Sequence, residues 1–183
     1  MDDMIDDTLI DSITISWVPG VPTKYTNATV AEFPGAVMLR GFLSRSSLSA
    51  LVFFAEGVVE HTGRDSNDSG FRFGAEDDEN FDGYDDADDV EEDDEDDEDD
   101  EEEDDDDEED DDEEDDEVVP IVHVYNPYET VTMSESAFVR LMARLFSTIV
   151  AGAVAEPNDV VQQDWWEEFV ALTAQVEQRA EHT

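Results

Sequence analysis

The chain contains no cysteine, which excludes disulfides and thiolate metal sites. It is also poor in positive charge. Eight Lys and Arg stand against 55 Asp and Glu, for a formal net charge of −47. Nucleic acid and anionic lipid surfaces repel so negative a chain, so neither direct nucleic-acid binding nor membrane association is expected. Its natural partners are basic proteins. Long apolar runs are scarce: the segments near Ala50–Ala55 and Ile149–Val154 fall short of the roughly 18 apolar residues that span a bilayer, and read as core. The start, Met1-Asp2-Asp3-Met4-Ile5-Asp6-Asp7, is acidic and has no apolar stretch of signal-peptide length. A cytoplasmic protein is expected, nuclear if the source is eukaryotic or viral. Without a secretion signal, the sequons Asn27-Ala28-Thr29 and Asn67-Asp68-Ser69 read as coincidences of composition.

Catalytic residue types are scarce too. His61, His123 and His182 are the only histidines. His61 with Asp65 and Ser46-Ser47 makes a triad on paper, but no G-x-S-x-G elbow, phosphate loop or H-E-x-x-H accompanies it. Three dispersed histidines support no zinc site. The expectation is a protein that is not an enzyme.

What the chain has in excess is carboxylate, unevenly placed. Of the 42 residues from Glu76 to Glu117, only Asn80, Phe81, Gly83, Tyr84, Ala87 and Val90 are not acidic. From Glu91 to Glu117 every residue is Asp or Glu. The rest of the chain holds 19 acids and all 8 bases, a mildly acidic balance unlike the evenly spread charge of a halophile surface. An unbroken acidic run offers no apolar area to bury, its charges repel, and Asp is a poor helix former, so an extended disordered coil is expected. The organisation expected is a β-rich half over 11–74, an acidic insertion over 75–117, and a strand with two helices over 118–180 completing one α+β domain. Strands followed by helices suggest a small, mostly antiparallel sheet with the two C-terminal helices on one face.

Ile13, Ile15 and Trp17 alternate with polar neighbours as a half-buried strand does, and Pro19-Gly20 breaks it. Residues 1–10 are expected to fray. After the Pro34-Gly35 turn, Ala36–Leu43 reads as a second strand. Ser49–Glu56 and Val58–Thr62 read as a bent strand or hairpin, with a short buried helix over 46–55 as the alternative; His61–Gly70 reads as a polar loop. Beyond the acidic run, Ile121, His123 and Tyr125 mark a strand that Asn126-Pro127-Tyr128 ends. Phe138, Leu141, Met142, Leu145, Phe146, Ile149 and Val150 follow at helical spacing, with Thr132/Glu135 as a capping box or Ser134 as cap, and with Gly152 and Pro157 as bounds. A last helix, capped at Asn158, carries Val161, Trp165, Phe169, Leu172 and Val176 as its stripe. Trp165 then belongs to the core, while Trp166 points about 100° away, at the core edge or as an exposed anchor. Arg140 and Arg144, at i and i+4, face solvent or hold the acidic run.

The acidic run carries the functional reading. DNA bears one charge per ~3.4 Å along each strand, and an extended Asp/Glu run presents nearly the same linear density. It can compete for a nucleic-acid-binding groove, so a non-enzymatic inhibitor or binding protein that neutralises a basic partner by charge mimicry is expected, the class of immunity and DNA-mimic proteins. Glu91, Asp94, Asp100, Glu103, Asp107, Asp112, Glu117 and Trp166 are the candidate contact residues. A chaperone or scaffold for basic proteins such as histones or ribosomal proteins is the alternative, and a plain solvating linker the blander one. Just upstream, Asp78–Asp89 fits D-x-N-x-D-G-x-x-D-x-x-D and is similar to the calcium loops of thrombospondin type 3 repeats and, more loosely, of EF-hands. That resemblance implies weak Ca²⁺ binding through Asp78, Asn80, Asp82, Asp86 and Asp89, as hard oxygen ligands around a turn at Gly83. No other cofactor is expected.

Overall fold

The β-branched segment that follows the acidic run is an interior strand of a sheet. The computed structural model describes residues 4–18, 26–44, 49–66, 69–74, 119–155 and 159–183. A four-stranded antiparallel sheet runs in the order β3 (Arg64–Asp65), β4 (Gly70–Gly74), β5 (Ile121–Asn126) and β6 (Glu129–Ser134). β5 and β6 form a hairpin in which Asn126 Oδ1 accepts from the amides of Tyr128 (2.8 Å) and Glu129 (2.9 Å), the local bonding that makes Asn a turn residue. The expected polar loop His61–Gly70 contains β3 and the first residue of β4, and the rest of β4 is the end of the β-rich half, where no strand is read. Phe71 and Phe73 of β4 alternate with Arg72, and all three pair across to β5, opposite Val124, Val122 and His123.

Helices cover this sheet, giving the α+β class that composition and order suggest. Ser134 ends β6 and caps α4 (Glu135–Ala155), its Oγ accepting from the Ala137 amide at 3.1 Å. Thr132 lies within β6, so the cap is Ser134 and not the Thr132/Glu135 box. Phe138, Leu141, Met142, Leu145, Phe146 and Ile149 are buried as their spacing predicts. By length and composition α4 could cross a membrane, contrary to the expectation that no segment approaches that length; its buried apolar face marks it as the core helix here. Nor does Gly152 end it. The Trp17 ring lies directly against Gly152, where any Cβ would collide.

Ala36–Leu43, read as a strand, is a helix, α2; of the two readings for the next segment the helix is the one found, longer than the expected 46–55, as α3 (Ser49–Glu60). Their apolar runs bury helical faces, Ala36, Leu39 and Leu43 with Met38 and Phe42 in α2, and Leu51, Phe54, Ala55 and Val58 in α3. Gly35, at φ +85°, sits at the N-terminus of α2 against Val131. β1 (Thr14–Trp17), found where expected, pairs antiparallel with β2 (Thr26–Thr29) and packs on α4. A 3₁₀ turn (Val160–Gln162) precedes α5 (Trp166–Ala180), which rests on α3 and α4. Pro157 and Asn158, the expected helix boundary, lie outside the described residues.

The N-terminal segment is not frayed from Met4 onward. Ile5 bridges to Met133 of β6, and α1 (Asp7–Asp11) places Ile10 in the core at 0% exposure. All described elements belong to one unit built from residues on both sides of 77–118. Its centre is an aromatic cluster that crosses the insertion: Phe71 of β4 lies 4.8 Å from Phe138 and 5.9 Å from Phe54, ring centre to ring centre. Burying each such ring contributes about 1.5–3 kcal/mol.

Candidate functional site

The sequence-predicted contact residues Glu91, Asp94, Asp100, Glu103, Asp107, Asp112 and Glu117, and the calcium candidates Asp78, Asn80, Asp82, Asp86 and Asp89, lie outside the described residues. The structure describes the frame that holds them. Gly74 pairs with Ile121, so the intervening 46 residues leave and re-enter the fold at neighbouring positions. Trp166 is not an exposed anchor: it is 8% exposed and packs with Phe169, whereas Trp165 is half-buried. Trp165, expected in the core, is the N-cap residue and packs against the core only in part, beside Phe169. The stripe of α5 is Trp166, Phe169, Thr173 and Val176.

Four arginines of the fold are engaged by the fold itself. Arg140 pairs with Asp7 (3.2 Å) and Asp11 (3.3 Å) and donates to Ser136 Oγ. Burial works against its charge, but hydrogen bonds and attraction from Asp11 and Asp7 outweigh it and raise its pKa. Arg144 donates to the carbonyls of Ile10, Asp11 and Ile13, closing the C-terminal end of α1. Burial lowers its pKa, with Asp11 opposing. Arg140 and Arg144, expected to face solvent or to hold the acidic run, therefore hold the N-terminal segment. Arg64 pairs with Glu60 at 2.7 Å.

Arg179 is the centre of a clasp between three helices. It reaches Glu135 at the start of α4 (2.5 Å), the Val58 carbonyl of α3, and Nδ1 of His61 just beyond α3 (2.7 Å). A guanidinium only donates, so Nδ1 accepts and the neutral ring carries its proton on Nε2, which faces Glu135 at 3.6 Å. The His61 ring stacks 4.2 Å from Phe73. The imidazole that a paper triad would use as base is thus held by Arg179 and Glu135, and Ser46 and Ser47 lie outside the described residues. His123 contacts Thr132 Oγ1 at 2.9 Å on the sheet, and His182 the Gln178 carbonyl. Among the described residues no group of three His, Asp or Glu is placed to hold a metal ion.

A cleft of about 740 Å³ opens between the residues around β1, the middle of α4 and the end of α5. Ile13, Ile15, Ala143 and Ala180 give it an apolar lining, and Glu177 and Glu181 bring carboxylates. Ser147 lies 2.5 Å from Glu177 through its hydroxyl. Arg144 lines the cleft as well, with its terminal N–H groups turned to the α1 carbonyls. Sequence reasoning passed over Glu177 and Glu181. Their i, i+4 spacing on a helix was the available signal. No protein-family model, no curated protein and no solved structure matches this chain.

Proposed function

We propose that this protein is a non-enzymatic acidic binding protein that neutralises a basic, nucleic-acid-binding partner by charge mimicry. One observation carries the reading: the segment holding 36 of the 55 acids is inserted between two strands that pair with each other, Gly74 opposite Ile121. The fold thus holds both ends of a polyanion at one place. At ~3.3 Å per residue, covalent connectivity confines its midpoint to within about 75 Å of that anchor. Its charge density is also set against a fold whose Arg64, Arg140, Arg144 and Arg179 already have acceptors of their own. A cationic groove in another protein is the counter-charge this reading assigns to the acidic run.

The test is capture and competition. Pull-down at low and at moderate salt, with the intact chain and with a variant carrying Asn and Gln at half of the positions 91–117, is expected to recover a basic protein with the intact chain only. Duplex DNA or RNA should displace it. Equal recovery with the neutralised variant, or a partner indifferent to nucleic acid, would overturn the reading.

A further inference from the structure

The C-terminal end of α5, with its cap residue Glu181, carries an arrangement that the fold alone does not favour. Glu177 and Glu181 stand at i and i+4, where like charges repel, and at a helix C-terminus, where the macrodipole is already negative. Basic residues belong there, and the nearby ones point elsewhere: Arg179 to Glu135 and His61, His182 to the Gln178 carbonyl. Neither Glu177 nor Glu181 has a cationic partner among the described residues. Both line the cleft, beside an apolar floor.

Resting on the function proposed above, we propose that this cleft seats a lysine side chain of the basic partner, its ammonium between Glu177 and Glu181 and its methylene stem along Ile13, Ile15, Ala143 and Ala180. The chemistry fits a long side chain that buries an apolar stem and keeps a charged tip at the rim. Arg144 does not close the site, because its terminal N–H groups are turned to the carbonyls of Ile10, Asp11 and Ile13. The hydroxyls of Thr14, Ser147 and Thr148, which also line the cleft, are further acceptors for an ammonium. The acidic insertion would set how fast a partner arrives, and this cleft how long one basic side chain stays.

The probe is a capped peptide with one lysine among valines, and its control has norleucine at that position, which keeps the stem and removes the charge. Titrated into the full chain at physiological salt, the lysine peptide is expected to shift the amide resonances of Thr14, Ile15, Ser147 and Glu177, and the norleucine peptide to leave them still. The E177Q/E181Q double variant should weaken binding about fivefold or more, since each exposed ion pair contributes a fraction of a kcal/mol to about one. These Glu→Gln changes keep side-chain size and relieve repulsion, so the variant should melt no lower than the parent. Equal affinity in E177Q/E181Q, or equal shifts with norleucine, would overturn the proposal. Cleft shifts that survive neutralisation of residues 91–117 support it. If neutralisation then also leaves capture of the basic partner unchanged, the polyanion reading fails and the cleft stands.

Discussion

Gly74, the last residue of β4, lies opposite Ile121, the first of β5, with 46 residues between them in sequence. The sheet closes across the insertion, and the side chains it brings together, Phe71 from one side with Phe138 from the other, form the centre of the core.

Removal of Glu91–Glu117 is therefore expected to leave a cooperatively folding unit. These 27 residues contain no apolar side chain, and a shorter connection lowers the closure cost only slightly, by about 0.6 kcal/mol per halving. Self-repulsion also falls. A thermal melt of the deletion variant should show one transition at the parent temperature or above it, and at low salt the gain should be larger.

Phe71→Ala tests the same junction from within. The ring is fully buried and lies near Phe54, Phe73 and Phe138, so its loss is expected to destabilise by about 3–5 kcal/mol. Tyr128→Ala, at a position 95% exposed, should change stability by less than about 0.5 kcal/mol. Denaturant titration of both variants separates the two.

How much of this was legible follows from what each segment depends on. α4 and β5 carry their periodicity in their own residues, and both were readable. Ala36–Leu43 is almost continuously apolar, so period alone does not separate strand from helix; Ala, Met and Leu favour the helix it forms. α1 has five residues, too few to hold a helix by propensity, and is fixed by Arg140 and Arg144 more than 125 residues away. Phe169 and Val176 are buried as the stripe predicts, but Trp165 is the N-cap residue, outside the helix proper, so the first buried ring of α5 is Trp166, and Thr173 is more buried than Leu172. The cleft combines residues near 13–15, 143–148 and 177–181, a juxtaposition no local pattern contains.

The Arg179–Glu135 pair should couple strongly. Glu135 is 10% exposed in its side chain and Arg179 21%, so removing either partner leaves a poorly solvated charge. Arg179→Met or Glu135→Gln alone is expected to cost about 2 kcal/mol after allowance for partial exposure. The double variant should cost less than the sum, with a coupling of about 1 kcal/mol or more from denaturant titrations. Strict additivity would show that the two charges stabilise the fold independently.

Tyr125 is expected to contribute to a loss of stability at alkaline pH. Burial raises its pKa above the usual 10.0, Asp65 raises it further, and Arg72 partly opposes. A phenol whose folded pKa is raised contributes stability that is whole below the unfolded value and is lost as pH climbs from there through the folded one. Unfolding free energy should therefore decline above about pH 10 in the parent. In Tyr125→Phe that decline should be shallower, whatever the change in absolute stability. An identical slope in both proteins would assign the alkaline loss to other groups.

The kinetics of partner binding separate the roles of insertion and fold. If the acidic run acts as a polyanion, association with a basic partner should slow steeply between low and physiological salt, where the screening length falls to about 8 Å. Permuting Asp and Glu within 91–117 should leave the rate unchanged, because charge density is preserved while side-chain order is not. Replacing half of the acids by Asn and Gln should slow association by about an order of magnitude and leave dissociation nearly as it was. Substitutions on the folded unit should do the opposite, speeding dissociation while association keeps its salt dependence. Stopped-flow measurement of both rates for the parent, the permuted and the neutralised chains decides the matter. An association rate that ignores neutralisation would place recognition wholly on the α+β unit and make the 27 acids a solvating connection.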